Sequence, residues 1–232
     1  MQNNSNRIFE IDLLRVLAIL FMLIFHTAYD LNAYAGIHID CSTGIFEMIG
    51  NISGLLFIFV SGISSGLSRN TNKKAIKLLI IAMIISIVSY IIFGESYIRF
   101  GILHLLSVCL LTNIILKNLS SGMILLIAFL SLIAGEIFKG IVLPVTFLIP
   151  LGIVYDNFQS IDYYPVFPYV SYYILGIFIY KTFYHKGKKL IHSGIEISYV
   201  TKISKKSLLV YLIHQPIIII TIECLLKLCT WF

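Results

Sequence analysis

Arg15, His26 and Asp30 lie in or beside one apolar run, at a spacing that puts them on one face of a helix. At about 100° per residue, the eleven steps from Arg15 to His26 leave only about 20° between them around the axis. Asp30 follows four residues after His26 on the same face. The rise sets His26 roughly 16 Å beyond Arg15, so a cation, an imidazole and a carboxylate follow one another along the face. A carboxylate at i+4 can fix the imidazole tautomer and stabilise its protonated form, as general-base catalysis requires. The same residues also read as a snorkelling arginine beside a structural His–Asp pair, and residue types alone do not separate the two. His104, in Phe100-Gly-Ile-Leu-His104, and His214, in Tyr211-Leu-Ile-His-Gln-Pro216, add two more imidazoles inside apolar runs. Singly, each reads as an interhelical hydrogen-bonder. Three together point to a shared polar cavity. Pro216 frees the carbonyl of Leu212 and predicts a kink beside His214 and Gln215. No HxxxH or HExxH spacing is present, so no metal is expected.

The elements that must position these groups are membrane helices. Of 232 residues, 59% are hydrophobic and only 12% charged, with a mean hydropathy of +0.95. Soluble domains run nearer 45–50% apolar and roughly 25% charged. These figures exclude an ordinary cytosolic globule, a disordered chain and a nucleic-acid-binding domain. The formal charge of +6, from 17 Lys and Arg against 11 Asp and Glu, reads as topology and contact with anionic lipid. The four cysteines show no metal-ligand spacing and suggest no disulfide framework.

Apolar runs cover Leu13–Leu31, Ile45–Leu67, Ala75–Phe93, Phe100–Leu116, Met123–Phe138, Val166–Tyr184 and Leu208–Cys229. Each approaches the roughly 20 residues that a spanning helix needs. Ile141–Tyr155 is shorter and carries Pro144, Pro150 and Gly152. Charge bias arbitrates its role. Arg69, Lys73, Lys74 and Lys77 mark one segment as cytoplasmic, and Asn32–Gly44, which has no Lys or Arg, as external. Lys181, Lys186, Lys188, Lys189, Lys202, Lys205 and Lys206 mark Lys181–Lys206 as cytoplasmic too. A crossing at Ile141–Tyr155 would force that cluster outside, so the stretch is expected to be re-entrant or half-buried on the outer side, with a true eighth crossing as the alternative. The expected fold is all-α: a polytopic membrane helix bundle of about seven spanning helices plus this segment, forming one domain over residues 1–232 with the N-terminus inside.

Small residues in the second run, notably Gly50/Gly54 and Gly62/Gly66, suit close helix packing. Asp162 and Tyr163, in a stretch with two prolines at the expected outer surface, suit the rim of a cavity.

Glu10-Ile-Asp12-Leu-Leu-Arg15 followed by His26 after ten intervening residues resembles the Arg-x10-His signature of transmembrane acyltransferases. The chain resembles a small bacterial member of the heparan-α-glucosaminide N-acetyltransferase catalytic-domain family. Supporting matches are Leu56-Phe-Ile-Phe-Val-Ser-Gly-Ile-Ser-Ser65, Phe100–His104, Asp162-Tyr-Tyr-Pro-Val-Phe-Pro168 and Ser207–Pro216. The resemblance implies transfer of an acetyl group from cytoplasmic acetyl-CoA to a hydroxyl or amine of a glycan or other cell-envelope acceptor on the opposite side of a bacterial cytoplasmic membrane. It implies His26 as the central base, with Asp30, His104 and His214 as further catalytic candidates. Arg15, Ser61, Lys73 and Lys74 become candidates for the CoA side, and Asp162, Tyr163 and Gln215 for the acceptor side. Membrane lipid is an expected partner, nucleic acid is not, and a homodimer stays open. The chain is shorter than the lysosomal enzymes and lacks their lumenal domain, so their glycan substrate does not carry over. The alternative class is a proton-coupled transporter or lipid flippase, in which the same His and Asp residues form a proton relay.

Overall fold

The computed structural model describes residues 8–68, 70–186 and 198–229. Arg69, Lys188 and Lys189 lie outside the described residues, as does the side chain of Lys186. The chain packs as two compact units, Met1–Phe57 with Lys189–Phe232, and Ile58–Lys188.

The first unit holds α1 (Phe9–Ala35), residues 44–57 of α2 (Gly44–Gly66), α7 (Ser198–Lys205) and α8 (Ser207–Cys229). α1 runs 27 residues without a proline and stops at Gly36, whose φ of 67° lets its N–H turn back to the Leu31 carbonyl. Such a left-handed terminus favours glycine. α1 packs on α7 and α8. Residues Asp12 and Arg15 meet Ser204, His26 meets His214 and Asp30 meets Gln215, so the order of contacts ascends in both segments. α1 and α8 therefore run parallel. On a neighbouring face of α1, the Ser53 hydroxyl donates to the Ala18 carbonyl at 2.9 Å, and Gly50 lies against the Phe25 ring.

The second unit holds the rest of α2 with α3 (Thr71–Phe93), α4 (Ile102–Leu116), α5 (Ser121–Phe138) and α6 (Val166–Thr182). α3 pairs with α4, and α5 with α6. The expected role of Gly62 as a packing residue is met with no room to spare. A Cβ there would sit 2.1 Å from the Tyr173 carbonyl oxygen, and one at Gly176 would sit 2.2 Å from that of Phe59. Gly66 faces Tyr180 further along, so this part of α2 runs parallel to α6.

The protein is an all-α chain of the membrane helix-bundle class, with no β-strand among the described residues. Among the described residues, five helices are long and apolar enough to cross a membrane: α1, α2, α3 with the turn after it, α5 and α8. α3 shows why. Ile80, Met83, Ile84, Ile87 and Ile91 are exposed along its length, a face suited to lipid and not to water. α4 and α6 are shorter, at 15 and 17 residues. They rise about 22 and 26 Å, less than the roughly 30 Å of a hydrocarbon core. Residues 141–155 form no spanning helix. They hold a bridge between Val142 and Val154 and a single 3-10 turn at Ile149–Leu151.

Candidate active site

His26 and His214 come together in the first unit, with ring centroids 4.8 Å apart and planes nearly perpendicular. Each imidazole is oriented by its own helix. His26 Nδ1–H donates to the Met22 carbonyl at 2.9 Å, one turn back, and His214 Nδ1–H donates to the Tyr211 carbonyl at 2.5 Å. A nitrogen that donates to a carbonyl must carry the proton, so in both neutral rings Nε2 carries the lone pair. That is the nitrogen a general base uses. His214 is 7% exposed, and its Nε2 has no hydrogen-bond partner among the described residues. Phe25 packs edge-on to His26, while Tyr211 packs beside His214 and is itself flanked by Phe57.

Asp30 is fully buried at 1% exposure. It does not orient His26 by a hydrogen bond. Both carboxylate oxygens accept from Gln215 Nε2, at 2.9 Å each. The tautomer-fixing task expected of Asp30 belongs instead to the Met22 carbonyl, which sequence spacing cannot single out because every helical residue has one.

Arg15 is held in a network that the sequence does not reveal. Its Nη1 donates to Ser204 Oγ at 2.8 Å and lies 3.5 Å from Asp12 Oδ1, and Ser204 Oγ–H donates to the same Asp12 oxygen at 2.5 Å. Ser204 is 189 positions away, in a short basic helix that reads from the sequence only as a topology signal. α7 and the residue after it expose Lys202, Lys205 and Lys206 in the same unit as Arg15. Of the other candidates for the CoA side, Ser61 is half-buried in α2, and Lys73 and Lys74 are exposed at the start of α3, with Lys74 donating to Ser68 Oγ.

The remaining candidates belong to the second unit. His104 is buried, but both ring nitrogens are engaged. Nδ1 accepts the Gly101 N–H at 3.3 Å, and Nε2 lies 3.5 Å from Ser86 Oγ, which in turn donates to the Ile98 carbonyl. Phe100 stacks on the same ring. Asp162 Oδ2 accepts from the Ile102 N–H at 3.1 Å, so this carboxylate meets the orphan donors at the start of α4. The Tyr163 hydroxyl donates to the Ile149 carbonyl at 2.8 Å, and burial pushes its pKa up to about 12, so it stays protonated as a donor. Arg99, unremarked in the sequence, pairs with Glu95 and lies over the rings of Tyr97, Tyr155 and Phe158. On the 36–43 loop, Asp40 is held at about 2 by hydrogen bonds from Thr43 and Ser42.

The family model described as "Heparan-alpha-glucosaminide N-acetyltransferase, catalytic" matches residues 7–216. The chain belongs to this family. No curated protein and no solved structure matches it. The matched span opens just before α1 and closes at Pro216, so both halves of the His26–His214 pair and the Asp30–Gln215 pair fall inside the N-acetyltransferase catalytic region. A helical membrane protein of an acetyltransferase family thus carries two adjacent imidazoles, each with its Nδ1 proton held by a carbonyl of its own helix, inside its apolar helices.

Proposed function

We propose that the protein moves an acetyl group from cytoplasmic acetyl-CoA to a hydroxyl or amine of a carbohydrate acceptor on the far side of the membrane, with His26 as the base. What supports this most is the His26 tautomer. Its Nδ1 proton is fixed on Met22, which leaves Nε2 to take a proton beside His214. The acceptor O–H or N–H gives its proton to Nε2 as its O or N attacks the thioester carbonyl carbon. The tetrahedral adduct then collapses, the C–S bond breaks, and the thiolate of CoA recovers the proton from the imidazolium. The products are an acetyl ester or amide and free CoA. A positioned base of this kind contributes typically 10²–10⁴-fold in rate.

The donor side is supported by charge. Arg15 stands beside the helix that exposes Lys202 and Lys205, with Lys206 next to it, a group suited to the phosphates of CoA. The parallel course of α1 and α8 supports an N-terminus and a basic 198–206 segment on one side of the membrane. The parallel course of α2 and α6, and the absence of a spanning helix in 141–155, fit the same seven-crossing topology.

The test uses purified protein in detergent. Isothermal titration with acetyl-CoA should give saturable binding, and labelled acetyl-CoA should be slowly hydrolysed in the absence of acceptor. Folded protein that neither binds nor turns over acetyl-CoA would overturn the proposal.

A further inference from the structure

Among the described residues, the α1–α8 seam contains two buried acceptor atoms with nothing to accept from. Gln215 Nε2 faces both oxygens of Asp30, which fixes the amide one way round, since a carboxylate cannot pair with a carbonyl oxygen. Its Oε1 is thereby committed to being an acceptor, and it is buried without a partner among the described residues. His214 Nε2 is in the same condition, because its Nδ1 proton is on Tyr211. Two lone-pair atoms cannot satisfy each other. Each orphaned acceptor is a desolvated polar group left unsatisfied until a donor arrives. Their partners on α1, His26 and Asp30, are one turn apart, a rise of about 6 Å, so the two orphans share one short stretch of seam. The two unpaired atoms there, Gln215 Oε1 and His214 Nε2, both accept, and an occupant that satisfies both must therefore donate at more than one point.

We infer that Gln215 Oε1 reads a second O–H or N–H on the acceptor molecule while the histidine pair takes the O–H or N–H that is acetylated. The inference rests on the proposed acetyl transfer and gives its carbohydrate acceptor a second point of recognition, a hydroxyl or amine beside the one acetylated. Gln215 is then a specificity residue, and Asp30 a positioning residue that acts through it. An acceptor with a single hydroxyl would leave Oε1 buried and unpaired, a difference of about 10–100-fold.

Full-length protein with acetyl-CoA is offered cyclohexanol and the 1,2-, 1,3- and 1,4-cyclohexanediols, and acetylated product is counted by mass spectrometry. At least one diol should exceed cyclohexanol by about 10–100-fold per hydroxyl. In Gln215→Met that ratio should fall to near one. Asp30→Asn should shrink it, because an amide pair can form either way round. If Gln215→Met misfolds because Asp30 loses its donor, Asp30→Asn/Gln215→Met removes the buried charge and carries the same comparison. Equal rates on diols and cyclohexanol, or a preference that survives loss of Gln215, would overturn the inference while leaving acetyl transfer standing. If none of these probes is acetylated, acetyl-CoA binding and hydrolysis decide the proposed function. Saturation-transfer NMR then decides recognition alone: a diol signal above cyclohexanol that is lost in Gln215→Met upholds it, and equal signals overturn it.

Discussion

His26 and His104 are both imidazoles in apolar helices, yet their surroundings assign them opposite work. In the first unit, His26 gives its Nδ1 proton to a carbonyl of its own helix and keeps a lone pair on Nε2, beside a second imidazole in the same state. In the second unit, His104 turns Nδ1 onto the Gly101 N–H at the start of α4, and its Nε2 meets Ser86. His104 does what a helix cap does, with an imidazole where a Glu or Gln commonly serves. A histidine in an apolar run is thus not itself a catalytic sign. What separates the two is whether the local backbone supplies a donor or an acceptor to Nδ1, and so which nitrogen keeps the proton.

The two regions also differ in how they are held together, and variants can sharpen that contrast. The largest effect is expected at Gly62, where α2 and α6 touch through their backbones. Gly62→Val should cost more than about 4 kcal/mol, because the clashing atom is a carbonyl oxygen that cannot swing aside, and should show as loss of the folded species in size-exclusion chromatography. Arg15→Ala comes next. It strips a cation from buried Asp12 and should lower stability by about 2–3 kcal/mol in thermal melts, as well as weakening acetyl-CoA binding. Adding Asp12→Asn should restore most of the stability without restoring binding, which isolates the role toward CoA. His104→Ala should cost about 1–2 kcal/mol by orphaning the Gly101 N–H, with acetyl transfer per folded molecule unchanged. His104→Asn, whose side-chain oxygen can accept that N–H, should recover part of the loss. A large drop in rate per folded molecule for His104→Ala would break the comparison between the two histidines.

The helical face bearing Arg15, His26 and Asp30 was legible because a period of 3.6 residues is a local property of the chain. The glycine spacing in α2 was legible for the same reason. What these residues touch was not. Ser204 sits in a basic stretch whose lysines dominate its appearance, and only folding brings its hydroxyl between Asp12 and Arg15. The Asp162 carboxylate looks like a cavity rim in sequence, yet sixty residues away it meets the start of α4. The Asp30–Gln215 pair escaped for a different reason: four-residue spacing offers Asp30 a partner on its own helix, and the better-matched donor is on another. Local period finds the face, and tertiary pairing decides the role.

The central claim is that His26 Nε2 takes the acceptor's proton. It is tested most directly by the acetyl-transfer rate of His26→Ala, measured on protein shown to fold and to bind acetyl-CoA like wild type. Loss of one half-buried imidazole should leave the helices in place and lower the rate about 10²–10⁴-fold. A folded, CoA-binding His26→Ala protein with near-normal transfer would contradict the account and move the base to His214.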